Sequence, residues 1–329
     1  MKRSQMHHSC GWLSALFKRL VLCALYRWHR EESGNVLVLT ALSFVALCGF
    51  GALVVDAGML DVQYRKAQSG ADAAALAGAQ QLLQGAKTAA QTAVHYGLLN
   101  DQKVTYQATA DIQTNTVSVA GKATSPLWFA RVLGKNTASY QVNSKAAVGT
   151  LVSGVGMVPI AVTKQTLVYG QTVILTSGAG GGSAGNYGFL DFSGNGAKGV
   201  ECDLEHGYDF PMHVGETVST ETGVMKGPVE QAIEYRLHES CDDSACNSFA
   251  TATSDCSRVM YLPVINALPQ NGKKQVTILG FAAFFLEGLQ GKGGHQEIVG
   301  RFIQMVRPGT LGQGTNYGTY AVKLEPSAG

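Results

Sequence analysis

The chain has 329 residues, enough for two folded domains, with 46% hydrophobic and only 15% charged residues and 40 glycines against 8 prolines. The net charge of +2 is unevenly placed: Lys2, Arg3, Lys18, Arg19, Arg27 and Arg30 precede residue 36 against Glu31 and Glu32, so the remainder is slightly acidic. That distribution excludes the broad basic footprint of a nucleic-acid binder from the bulk of the chain.

Residues 1–35 form a basic segment in which WLSALFKRLVLCALY (Trp12–Tyr26) is apolar but broken by Lys18 and Arg19, the pattern of an interfacial amphipathic helix. Val36 to Val55 follows without a single charge. As a helix this stretch is about 30 Å long, the thickness of a bilayer's hydrocarbon core. Basic residues in front of it keep the N-terminus in the cytoplasm and export the chain after Asp56. No A-x-A site closes the run, so an uncleaved signal anchor is expected.

Residues 56–150 are expected as an exported helix with a small α+β domain. The helix carries Ala67, Ala71, Ala74 and Gly78 at spacings of three and four, a seam of small side chains against which another helix can pack closely. The occupant is another protein or the chain's own next helix, Ala86–Leu99. Val104–Ile112 and Thr116–Ala123 alternate as a β-hairpin. SPLWFARVLG predicts a short helix, with Ser125 as N-cap, Pro126 in the first turn and Gly134 at its end. Ala138–Gly149 reads as a strand.

Residues 151–329 are expected as a mainly-β exported domain with one helix, GPVEQAIEYRLHES. Strands are placed around Gly170 and at Tyr187–Phe192, Val259–Ile265, Lys274–Leu289 and Arg301–Pro308. The run Ile278–Leu286 is too short to cross a membrane and reads as a buried strand. The whole is a single transmembrane helix continuing into an α+β domain, pilin-like by the family resemblance given below, then the mainly-β domain.

Four cysteines, Cys202, Cys241, Cys246 and Cys256, fall in the exported part, an even number in an oxidising compartment. Two disulfides are expected, with the pairing open. Gly180, Gly182 and Gly185 match G-x-G-x-x-G, but the strand-like NYGFLDF follows where a phosphate-binding helix is needed. Asp191 to Gly196 resembles the start of a calcium loop, yet Cys202 stands where the bidentate glutamate belongs. His206, His213, His238 and His295 are scattered, and no catalytic motif is present. No catalytic, metal or cofactor site and no small-molecule substrate are expected. The alternative is an anchored envelope hydrolase or ligand-binding module with its site in 159–329.

The segment Arg27–Leu83 resembles the N-terminal region of the TadE/TadG-like proteins of tight-adherence (Flp) pilus assembly. The resemblance rests on the basic residues and Gly34 before the span, Asp56 after it, and the Ala-rich run at 71–79. GNYGFLDFSGNG, VGETVSTETGVMKGPVEQAIEYR, RVMYLPVI and GFAAFFLEG are similar to TadG-related proteins, without a von Willebrand A domain. The resemblance implies a pseudopilin-like, non-enzymatic, membrane-anchored accessory whose partners are other Tad/Flp assembly proteins. Leu39 stands where prepilin leaders carry glutamate, which speaks against cleavage by a prepilin peptidase.

Overall fold

One unbroken helix, α1 (Cys10–Gln80), carries the chain from its basic segment through the apolar run and into the alanine-rich seam. The computed structural model describes residues 10–175, 187–222, 226–240, 244–269, 272–291 and 297–326. Its part from Val36 is long and apolar enough to cross a membrane, and Val36–Val55 lies exposed apart from a half-buried Ala52. Within that run the Thr40 hydroxyl donates to the Val36 carbonyl at 2.7 Å, so its polar group is satisfied inside the helix. The chain divides into two compact units, Met1–Tyr64 with Thr124–Ser139, and Arg65–Ala123 with Tyr140–Gly329.

A short 3₁₀ turn and Gly85, whose φ of 113° suits glycine, separate α1 from α2 (Ala86–Asn100). Then come β1 (Thr105–Asp111) and β2 (Thr116–Pro126), antiparallel with Thr105 opposite Lys122 and Asp111 opposite Thr116. Their turn is fixed by Asp111, whose carboxylate accepts the Gln113 N–H at 2.8 Å, with Asn115 in the left-handed region. β3 (Thr137–Gly154) completes this part of the sheet and runs on through residue 150, the expected domain boundary, without a break.

The remaining elements are β4 (Ile160–Thr163), β5 (Thr172–Leu175), β6 (Tyr187–Asp191), α3 (Gly196–His206), β7 (Met212–His213), β8 (Thr217–Glu221) and α4 (Lys226–Glu239). After them come β9 (Val259–Ile265), β10 (Gln275–Gln290), β11 (Glu297–Ile303), β12 (Met305–Val306), β13 (Thr310–Gly312) and β14 (Thr319–Glu325). The first sheet has the order β1-β2-β3-β14-β12, with β13 and β7 also on β3. Tyr320–Glu325 pairs with Thr150–Lys145, so a strand from the end of the described chain closes the sheet that begins beside α2.

The second sheet is barrel-like. Its order is β5-β11-β10-β8-β6-β4-β9, and β9 also pairs with β10, closing a ring of β10, β8, β6, β4 and β9. β10 makes this possible by its length. Its start pairs with β8, its end with β11, and its other edge with β9. Both faces of β9 and β10 are covered, which explains their continuous apolar sequences. Met260, Leu262, Val264, Phe284 and Leu286 pack in one cluster with Val200 and Leu204 of α3 and Val229 and Ile233 of α4. Tyr261, Ile265, Phe281 and Phe285 join Leu151, Met157 and Met212 in another.

Three expectations are corrected. SPLWFARVLG is not a regular helix: β2 extends to Pro126, and only Ala130–Leu133 form a 3₁₀ turn, with no capping role for Ser125. Among the described residues, the mainly-β half contains two α-helices rather than one. In α3, the glycines at 196 and 199 hide a helix held by tertiary packing of Val200 and Leu204. The stretch 301–308 divides between the end of β11 and β12.

The buried Arg236 side chain joins α3 and α4. Its Nε–H donates to the Leu204 carbonyl near the end of α3, and its Nη1–H donates to the Ser257 carbonyl at 2.7 Å. Burial lowers its pKa to about 10, still far above neutral pH, so the guanidinium stays charged and its carbonyl partners satisfy it.

Candidate functional site

The charge-free run ends at Asp56, and the fold gives that carboxylate a definite task. Asp56 is 4% exposed. Its Oδ1 accepts the Trp128 N–H at 2.8 Å; its Oδ2 accepts those of Phe129 at 3.0 Å and Ala130 at 2.7 Å. These N–H groups open the 3₁₀ turn and have no partner within it, so the carboxylate takes the position of a capping side chain supplied from another element. The loop is otherwise closed on itself: Leu127 N–H donates to the Asn136 carbonyl, Lys135 N–H to Ala130, and Gly134, at φ 80°, reverses the chain. Sequence reading placed Asp56 after the span and within the resemblance, but not its partners. A lone acid beside an uncharged run was the available signal.

The seam residues Ala67, Ala71 and Ala74 are fully buried, and their cover is the chain itself. α2 runs back alongside α1: a Cβ on Gly78 would lie 2.8 Å from the Ala93 Cβ and 2.9 Å from the Ala89 carbonyl oxygen. At the other end, Tyr106 fills the notch left by Gly70 and Gly97 and its hydroxyl donates to the Ala67 carbonyl at 3.4 Å. Burial raises the Tyr106 pKa to about 12, so the phenol stays a donor. With the sheet residues Val117, Val119 and Val142 in the same cluster, the seam is a core face and not an open docking face.

Of the four cysteines, Cys246 and Cys256 are disulfide-bonded, with Cα atoms 5.3 Å apart, while Cys202 is an exposed free thiol on α3. Cys241 lies outside the described residues, as do the glycines at 180, 182 and 185 and His295. The Asp191 loop leads into α3. Its carboxylate accepts the Gly194 N–H at 2.8 Å and lies 3.5 Å from the Lys273 ammonium, which sits 2.7 Å from Glu221. The Glu221 hydrogen bond is the main reason the Lys273 pKa is raised. Asp191, the single acid of the calcium-like segment 191–196, therefore already faces an ammonium group. His206, His213 and His238 sit on α3, β7 and α4. Among the described residues no three His, Cys, Asp or Glu side chains gather closely enough to hold a metal ion.

Residues 34–81 match the family model described as putative Flp pilus-assembly TadE/G-like. The match begins before the apolar run, includes Asp56 and the whole seam, and ends as α1 ends. No curated protein and no solved structure matches the chain.

Proposed function

We propose that this chain is a membrane-anchored, non-enzymatic component of Flp (tight-adherence) pilus assembly. The observation that carries the reading is the family match over 34–81, which coincides with the apolar run, Asp56 and the packed seam. In this reading Val36–Val55 spans the bacterial inner membrane, the basic N-terminus stays in the cytoplasm, and everything after Asp56 is exported. α1, α2 and the β1–β3 sheet form the pseudopilin-like part. Contacts with other assembly proteins run through the outer surfaces of the exported region, because the seam is filled by α2 and the sheet.

The test is deletion of the gene in its host, with surface pili counted by electron microscopy and restored from a plasmid. Loss of pili on deletion and recovery with the full chain are expected. Normal pilus number in the deletion strain overturns the reading.

A further inference from the structure

The turn clasped by Asp56 presents large apolar side chains outward. Trp128 is 64% exposed, Phe129 48% and Val132 89%, with Arg131 and Lys135 exposed among them. Such a cluster in water is unfavourable unless something covers it. Nothing about the backbone loosens it: three N–H groups are tied to one carboxylate, and the loop ends are joined by the Leu127–Asn136 hydrogen bond. The exposure is therefore built in.

The position of the clasp says what covers the cluster. Asp56 directly follows Val55, the last residue of the uncharged run, and Leu53, Val54 and Val55 are themselves exposed on the same helix. At a rise of about 1.5 Å per residue, those side chains lie within one turn of the clasp. The N–H groups of Trp128 and Phe129 lie 2.8 and 3.0 Å from the carboxylate, so both residues are held at the depth of the helix exit. An indole, a phenyl ring and two cationic side chains at that depth match the interfacial layer of a bilayer. There aromatic rings lie among the headgroups and Arg and Lys meet lipid phosphates.

We infer that the loop carrying Trp128, Phe129 and Val132 is a second membrane contact, seated in the headgroup layer of the leaflet from which α1 emerges and held there by Asp56. The inference rests on Val36–Val55 being a span. It adds a function for the loop: α1 alone can rotate and tilt in the bilayer, whereas a side anchor fixed to one face of it restrains both motions.

The experiment uses the full chain in nanodiscs of phosphatidylcholine and phosphatidylglycerol. Trp12→Phe and Trp28→Phe leave Trp128 as the single indole of the three in the chain. Incorporation into the discs tests the span by itself. With the span intact, the expected result is blue-shifted Trp128 emission and quenching by lipids brominated near the headgroup. Iodide quenching should be severalfold weaker than for N-acetyltryptophanamide. A second probe, Val132→Trp with Trp128→Phe in the same background, reports the loop independently and should behave alike. Free access of iodide to both probes without bromolipid quenching overturns the inference. So does shielding from iodide with no bromolipid quenching, which would mean that protein rather than lipid covers the loop.

Discussion

Asp56 and Ala130, separated by 74 positions in sequence, meet through a 2.7 Å hydrogen bond from the Ala130 N–H to the Asp56 carboxylate. With Trp128 and Phe129 as further donors, a single side chain orders the whole turn. Asp56→Ala is expected to free the 3₁₀ turn while leaving α1 helical. Amide exchange at 128–130 should accelerate, and trypsin should begin to cut at Arg131. Asp56→Asn, which keeps one acceptor oxygen, should fall between wild type and alanine. Unchanged exchange at these three amides in Asp56→Ala would remove the clasp from the account.

Gly78 sets two effects against each other. Replacing a helix-interior glycine with alanine gains about 1 kcal/mol of helix propensity, and Gly78, in the last turn of α1, stands to gain no more than that. Here the new Cβ would lie 2.8 Å from the Ala93 Cβ and 2.9 Å from the Ala89 carbonyl oxygen, and neither neighbour has a flexible end that can swing away. Overpacking of this kind costs about 1–3 kcal/mol, so packing wins and Gly78→Ala is expected to be destabilising. Gly78→Leu should do more damage. Thermal unfolding of the full chain in detergent should show both, while membrane insertion, which depends on residues ahead of the seam, stays unchanged.

Asp203 on α3 is buried, and its Oδ2 has no hydrogen-bond partner. Burial raises its pKa, with Asp209 and Asp191 adding in the same direction and a Ser193 hydrogen bond opposing. A carboxyl with a raised folded-state pKa is at no disadvantage below its unfolded value and becomes costly as pH rises through the folded value. Asp203→Asn should therefore stabilise the protein at neutral pH. The gain should shrink as acidification protonates the wild-type carboxyl. Melting curves of the two proteins across that range check both the sign and the convergence.

The cysteines should separate by reactivity. Cys202 should take up maleimide in the native, non-reduced protein, whereas Cys246 and Cys256 should react only after reduction. Their bond closes a loop with a sequence separation of 10. Cys246→Ser with Cys256→Ser is expected to cost about 2–3 kcal/mol by loop-closure entropy. Mass spectrometry of labelled peptides and denaturant titration measure the two effects.

What could be read in advance follows from the range of the forces involved. The uncharged run, the hairpin of β1 and β2, and the all-apolar β9 are local signals, and their positions agree with the sequence reading. Ser125 and Pro126 misled because their helix-start chemistry is local, while sheet pairing holds that stretch extended. α3 went unseen because Gly199 and Asp203 face inward beside Val200 and Leu204, so no clean apolar stripe advertises it. The alanine seam was legible as a packing surface, but its occupants were open; Tyr106 and Val117 come from strands made later. Asp56 could not announce the three amides it holds, since backbone N–H groups look the same at every residue.

The pairing of β14 with β3 puts the molecule on a clock. β3 is complete at Gly154, but its partner edge waits for Thr319–Glu325. At about 5–20 residues per second, that edge stays unpaired for on the order of ten to thirty seconds of synthesis. Until then a row of open N–H and C=O groups is exposed on a chain already carrying its apolar helix, a state prone to pairing with a neighbour. A ribosome that stalls between residues 154 and 319 therefore leaves an adhesive product rather than a shortened working one.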